Sequence, residues 1–223
     1  MSSGTRKAWA PARMPADRTA AQRLREWADA QEGGLDAVGL DLSGADLSHG
    51  DFSESWFTDA KLTKAKLVAA ELYRSDAQGA DFSEADLTGA SLVRVTLDDA
   101  ILRNARLDGA NLVKASLYDV DAFGASCRGT LFQGSSLLGV DLRSADLSEA
   151  VFDENSFQVK LDENTKFEGA TGSVFGPVVV VGEDASASRQ LAGSELQKWI
   201  KDRGGEIRVV SAVKENRPDR RSP

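Results

Sequence analysis

Residues able to do covalent or metal chemistry are few and isolated in this chain. Its one histidine, His49, and its one cysteine, Cys127, have no second imidazole or thiol with which to share a metal. No HExxH, no Gly-rich phosphate loop ending in Lys-Ser or Lys-Thr, no GxSxG and no CxxC occurs. The aspartates do not follow the GGxGxDxUx spacing of calcium-binding β-rolls. Gly182-Glu183-Asp184 follows an apolar run where a nucleotide-site turn would stand, but its two acids would repel phosphate. The expectation is a protein that is not an enzyme and takes no cofactor and no metal. What the chain has in quantity is carboxylate, and repeated carboxylates attract basic surfaces.

The charge is unevenly placed. Residues 36–168 carry 24 acidic and 12 basic side chains, whereas residues 1–35 and 170–223 are each +2 within a total of −8. A net −12 body argues against nucleic acid as a ligand, because phosphate binding needs clustered Lys and Arg. It favours a basic partner. The N-terminus is basic and lacks an apolar h-region, and no stretch approaches the ~18 apolar residues of a membrane span. A cytoplasmic location without membrane contact is expected.

The elements that must position these charges follow from one period. From Leu42 to Phe157 an inward-type residue returns at every fifth position, twenty-four times without an insertion: fifteen Leu, six Phe, and Ala77, Ala122 and Cys127. A period of five matches neither helix nor strand, so each unit must turn a corner and present its apolar residue to a shared axis. The residue two places earlier is small, from Ala45, Gly50 and Ser55 through Ala110 and Ala115, and also points inward. Cys127 on an inward place reads as a packing residue. The other positions are Asp, Asn, Ser, Thr, Arg, Lys and Gly, which suit turns and solvent.

Flanking segments lack the period. Residues 1–16 read as a flexible tail. Ala20, Leu24, Trp27, Ala28 and Gln31 fall on one helical face, with Asp17 as cap and Gly33-Gly34 as stop, so 17–34 reads as a capping helix over the first coil. After Phe157 the phase decays: Asp162 occupies the next inward position, Phe167 recovers it, and Gly172 to Gly176 reads as a linker. Pro177 to Val181 then reads as a strand, Leu191, Leu196, Trp199 and Ile200 as a helix, and Ile207 to Val210 as a second strand. This 172–213 β-α-β unit is too small to stand alone. It packs on the last coil or pairs with a second copy as a homodimer contact. Residues 214–223 read as a disordered tail.

Runs such as Gly44-Ala45-Asp46-Leu47-Ser48, Gly79-Ala80-Asp81-Phe82-Ser83, Gly109-Ala110-Asn111-Leu112 and Ser144-Ala145-Asp146-Leu147-Ser148 resemble the A-(D/N)-L-x-x signature of pentapeptide repeat proteins. The resemblance implies a β fold: residues 35–171 as a right-handed quadrilateral β-helix, a pentapeptide-repeat solenoid with four units per coil. Departures lie at Val95, Val120, Thr130 and Val140, where the small residue is replaced. Some members of that family bind DNA gyrase or topoisomerase IV as duplex mimics, modulating them or protecting them from poisons. By this resemblance the partner is another protein of that kind.

With four units per coil, residues twenty apart stack ~4.8 Å from each other, and six coils span ~29 Å. Two outer columns are acidic with cationic interruptions: Asp41, Lys61, Asp81, Ile101, Asp121, Asp141, and Asp46, Lys66, Asp86, Arg106, Ser126, Asp146. If the rod imitates DNA, Asp41, Asp46, Asp81, Asp86, Asp141 and Asp146 stand in for phosphates. Lys and Arg at these intervals equally serve to relieve a stacked Asp ladder. A third face sets Tyr73, Val93 and Val113 beside Arg74, Arg94 and Lys114, the pattern of a docking surface. Outward Val and Tyr also suit extended backbone. Tyr118 and Leu138 continue the apolar strip on the fourth face, with Phe123 on the first. The second expectation is therefore a rigid scaffold for a regulatory or immunity partner.

Overall fold

A computed structural model describes residues 9–30, 32–182 and 187–210. Gln31, Glu183, Asp184 and the expected disordered tail at 214–223 lie outside them, as do residues 1–8 of the N-terminal segment.

The five-residue period builds a stack of parallel coils. Asp36 bridges Trp56, Trp56 bridges Asp76, Asp76 bridges Thr96, and every bridge from Asp36 to Asp121 joins residues twenty apart. Four units therefore complete one coil. In each unit the inward residue donates its amide to the next coil, as Leu42 does to Lys61 O at 2.7 Å, while Lys61 donates back to Leu40 O at 2.9 Å. The corner closes with a turn bond such as Ala45 N to Leu42 O at 3.1 Å. Two residues after each inward one from Leu42 to Phe152 the backbone takes positive φ, at Gly44, Gly79, Gly89 and Gly109 but also at Glu54, Arg74, Arg94 and Lys114. The turn requires it.

All twenty-four inward residues are buried, and so are the small residues two places before them. Each buried Leu contributes roughly 1.5–3 kcal/mol. At one unit an enlarged small place meets a reduced large one, Val120 before Ala122, whereas Val95 and Val140 precede full-sized Leu97 and Leu142; Thr130, before Phe132, donates its hydroxyl to Leu107 O at 2.7 Å.

The first coil is closed by α1, Arg18–Ala30. Asp17 caps it by accepting the Ala20 amide at 2.8 Å, and Ala20, Ala21 and Leu24 face the core. Residues 9–16 are not a tail. Ala12 and Arg13 pair with Asp46, and Trp9 donates to Ser48 O at 3.0 Å while packing edge-on against Trp27 and Phe52. The pairing covers an open sheet edge, which would otherwise leave backbone groups bare.

The last coils contain the strands β1 (Ser136–Asp141), β2 (Val151–Leu161), β3 (Thr171–Phe175), β4 (Pro177–Val180), β5 (Arg189–Ala192) and β6 (Glu206–Val210), with helix α2 (Gly193–Lys201) between the last two. Here three expectations are corrected. Ser136 pairs with Ser156 but Asp141 with Lys160, so one residue is lost from the coil. β2 runs straight through with Asn155, Phe157, Val159 and Leu161 alternately buried, and Leu161, not Asp162, fills the inward place. The segment read as a linker is β3, parallel to β2 with Thr171 opposite Val151. Gly172 (φ +114°) lies where a side chain would strike the Phe152 carbonyl oxygen, which explains a glycine inside a strand. Leu191 belongs to β5, antiparallel to β4, and the helix begins only at Gly193.

The sheet order is β5-β4-β2-β3-β6, with β1 also on β2. The C-terminal unit thus continues the stack: β4 and β6 lie parallel on β2 and β3. α2 closes the core with Leu196, Trp199 and Ile200, Trp199 meeting Phe167 edge-on at 6.0 Å.

Candidate protein-binding faces

Each column aspartate first serves its own turn. The Ser43 amide donates to Asp41 at 3.0 Å, Ser48 to Asp46 at 3.2 Å, Ser83 to Asp81 at 2.8 Å, Thr88 to Asp86 at 3.1 Å and Ser148 to Asp146 at 3.0 Å. An Asp at this place closes the turn it precedes. Hydrogen bonds from Ser43 and Ser48 hold Asp41 and Asp46 below the ordinary carboxylate value. Burial opposes the charge on Asp81, Asp141 and Asp146, but donors outweigh it: Ser83 and Thr63, Arg143, and Ser148 respectively. All three stay below the ordinary value and ionised at neutral pH.

On the first two faces much of this charge is matched in place. Arg143 grips Asp141 through Nε at 2.8 Å and Nη2 at 2.6 Å, leaving the Asp141 side chain 13% exposed. Arg103 binds Asp121 at 2.8 Å, and Phe123 lies between Arg103 and Arg143 at 5.0 and 5.7 Å, a stacked cation–π ladder. Asp146 takes Arg128 at 3.3 Å and Lys166 at 3.4 Å and is 20% exposed, and Arg106 lies 3.8 Å from Asp86. Asp46 is covered by the Arg13 segment. The six proposed phosphate stand-ins therefore fall on two faces where cations already answer Asp86, Asp141 and Asp146, and the structure does not gather them into one free surface.

Sequence reasoning missed the fourth face. Its units carry Asp36, Asp59, Asp76, Asp98, Asp99 and Asp119, and no Lys or Arg from residue 35 to 39, 55 to 59, 75 to 79, 95 to 99, 115 to 119 or 135 to 139. None of these six makes an ion pair among the described residues. Asp98 ties two coils, accepting Ser116 Oγ at 2.6 Å and the Tyr118 amide at 2.9 Å. Trp56 and Tyr118 stand beside these acids, each 51% exposed. The signal was present in the twenty-residue register: Asp36 and Asp76 fall in the column before the inward residue, and Asp59, Asp98, Asp99 and Asp119 in the two columns after it.

The third face is as the sequence orders it. Tyr73 passes its carbonyl to Glu54, Val93 to Arg74 and Val113 to Arg94, each bond 2.8–3.0 Å, so the strip is continuous. Tyr73 is 39% exposed with the Arg74 guanidinium 5.9 Å from its ring, and Val93 and Val113 are partly exposed. Arg74, Arg94 and Lys114 are exposed and have no carboxylate within ion-pair distance among the described residues. Gln133 ends the strip, its amide oxygen buried without a partner.

His49 sits on an exposed corner, and no group of side chains suited to a metal occurs among the described residues. Burial pushes the Cys127 thiol up to about 12, helped by the charges of Asp108 and Asp146. Among the described residues no helix is long and apolar enough to cross a membrane.

Stacked five-residue units with outward charge define a solenoid protein. The family model for pentapeptide repeats matches in eight copies at 34–63, 55–92, 65–104, 90–126 and 125–154. That is more than half of the chain, which belongs to the pentapeptide repeat family. Among curated proteins none matches. Solved structures resembling it include Rfr23 from the cyanobacterium Cyanothece 51142, at 23% identity over 65% of this chain and 96% of that one, TM-score 0.41. HetL from Nostoc sp. PCC 7120 is 24% identical over 66% and 87%, TM-score 0.26. A trypsin-treated form of QnrB1, a plasmid-mediated fluoroquinolone resistance protein, is 19% identical over 81% and 80%, TM-score 0.33.

Proposed function

We propose that this chain is a non-enzymatic cytoplasmic binding rod that offers a DNA-like acidic side to a DNA-handling enzyme such as DNA gyrase or topoisomerase IV, modulating it or protecting it from inhibitors. In this reading the coil is the right-handed, four-sided form, in keeping with the right-handed preference of parallel β crossovers. One observation supports the reading above the others: the fourth face has six aspartates and no cation. From Asp36 to Asp119 is four coil steps, ~19 Å. One DNA strand carries a charge every ~3.4 Å, hence about six over that length. Face four therefore matches the charge density of one strand, whereas the whole body at net −12 falls short of the roughly 17 charges of ~29 Å of duplex.

The test is gyrase supercoiling and quinolone-protection assays with purified protein. Wild type should inhibit or protect at micromolar concentration, and the variant Asp59→Asn, Asp76→Asn, Asp99→Asn, Asp119→Asn should not. Asn keeps the turns, because it tolerates positive φ. No effect of the wild-type protein in either assay sinks the proposal.

A second reading has its own support. Three unpaired cations beside an exposed Tyr73 favour the third face as a docking surface for a regulatory or immunity protein.

A further inference from the structure

On the third face Arg74, Arg94 and Lys114 occupy equivalent corners of successive coils, one above another at the ~4.8 Å stacking distance. Tyr73, Val93 and Val113 form the parallel apolar row immediately before them. Between Glu71 and Asp153 the units of this face contain no acid. At physiological salt the screening length is ~8 Å, so a group held against the strip feels the cations in contact with it more than acidic columns beyond that distance.

We propose that this strip receives an acidic amphipathic helix of a partner protein, laid parallel to the rod axis. The inference rests on the docking reading of the third face and names its occupant. The match is one of repeat lengths. A helix advances ~5.4 Å per turn, against ~4.8 Å per coil, so over the three coils the two rows diverge by only ~1.2 Å. Carboxylates at i, i+4 and i+7 lie on one side of a helix, about 5–6 Å apart. They meet Arg74, Arg94 and Lys114 one for one, while a neighbouring apolar stripe covers Tyr73, Val93 and Val113. An extended strand fits less well, since its same-side residues are ~6.7 Å apart and slip by ~4 Å over the same distance. Duplex or single-stranded nucleic acid is a poorer occupant, because three cations release few counterions.

The experiment uses the full-length protein and a labelled helical peptide with Glu at i, i+4 and i+7 beside a Leu stripe, read by fluorescence anisotropy. Binding should weaken with salt and fall about tenfold or more in the Arg74→Glu, Arg94→Glu, Lys114→Glu variant, whose circular dichroism verifies the fold. Equal binding of a scrambled or Pro-interrupted peptide overturns the helix, as does tighter binding of duplex DNA or anionic vesicles. Unchanged binding by the triple variant overturns the site. A photo-cross-linker at Val93 in host lysate separates this inference from the reading beneath it. Cross-linking to a segment that is not an acidic helix overturns the inference and leaves docking intact. No cross-link together with no peptide binding overturns both.

Discussion

Replacing Gly172 with alanine should detach the C-terminal unit while leaving the repeat body folded. The residue is at φ +114° in β3, directly opposite Phe152 of β2. A non-glycine residue at positive φ costs roughly 1–2 kcal/mol, and here the added methyl also strikes the Phe152 carbonyl oxygen. That oxygen is backbone, so no rotamer relieves the clash. Relief requires β3 to lift from β2, which breaks ladder bonds worth about 1 kcal/mol each. β6 pairs with β3 along its whole length, and Ile207 and Val209 are buried there. The expected loss is about 3 kcal/mol or more, concentrated in residues 171–210, because a solenoid contacts only its neighbouring coils. Hydrogen exchange by mass spectrometry should show fast exchange across β3, α2 and β6 in the variant and unchanged protection across the coils before residue 134. Native protection of β3 in the variant would refute both the register and the clash.

Three further outcomes follow from the same geometry. Cys127, fully buried with its thiol pushed up to about 12, should resist alkylation in the native protein at pH 8 and react stoichiometrically once unfolded, as mass spectrometry will show. Burial disfavours the charge on Asp141, Asp146 and Asp162, yet donors from Arg143, Ser148 and Ser144 hold all three below their ordinary 3.8. Their stabilisation is therefore full above that value and lost as pH falls through the lower folded values, so melting temperature should be flat from pH 7 to 5 and drop below pH 4. Arg94→Gly should stabilise the coil by about 0.5–1 kcal/mol by relieving its positive φ, and a lower melting temperature would mean that its aliphatic stem packs on Val93 or Tyr73 instead.

The repeat body was legible because its burial rule is one-dimensional: Leu42 or Phe82 predicts its own environment from phase alone. The failures all involve partners distant in sequence. Residues 9–16 look like a tail until Arg13 meets Asp46, and Gly172 looks like a linker glycine until Phe152 lies against it. The lost residue before Leu161 was hidden because Asp162 sits in phase and makes a plausible turn, as it does, accepting Ser144 N at 2.8 Å and Asn164 N at 3.0 Å. Leu191 lies near enough to the helical spacing of Leu196 and Trp199 to be drawn into α2, although its backbone pairs with Val178. For the candidate faces, the register yielded columns but not ion pairs. Whether Asp141 is a free anion depends on where Arg143 points, and only coordinates supply that.

Charge pairing divides the rod into two halves with different physical roles. On faces one and two, Arg103, Arg106, Arg128 and Arg143 answer Asp121, Asp86, Asp146 and Asp141, so these columns hold coils in register and offer little net field. On faces three and four neither sign is answered: Arg74, Arg94 and Lys114 stand at positive φ without carboxylates, and six aspartates stand without cations. Glycine fits that corner better than arginine or lysine, and the chain uses it at Gly44, Gly89 and Gly109. The coil does not demand three successive basic residues at this corner, since it accepts Glu54, Lys64, Glu84 and Asn104 at the same place on its faces. Nor does electrostatics within the chain explain them, since no acid is bound. An external anionic group, as proposed, would answer these cations, and the neighbouring aspartate face would disfavour a shifted register by repelling it. On the proposed reading the two unpaired faces would act together: one would supply attraction to an acidic helix or the other to a basic groove, and their shared corner would fix which side of a partner can approach.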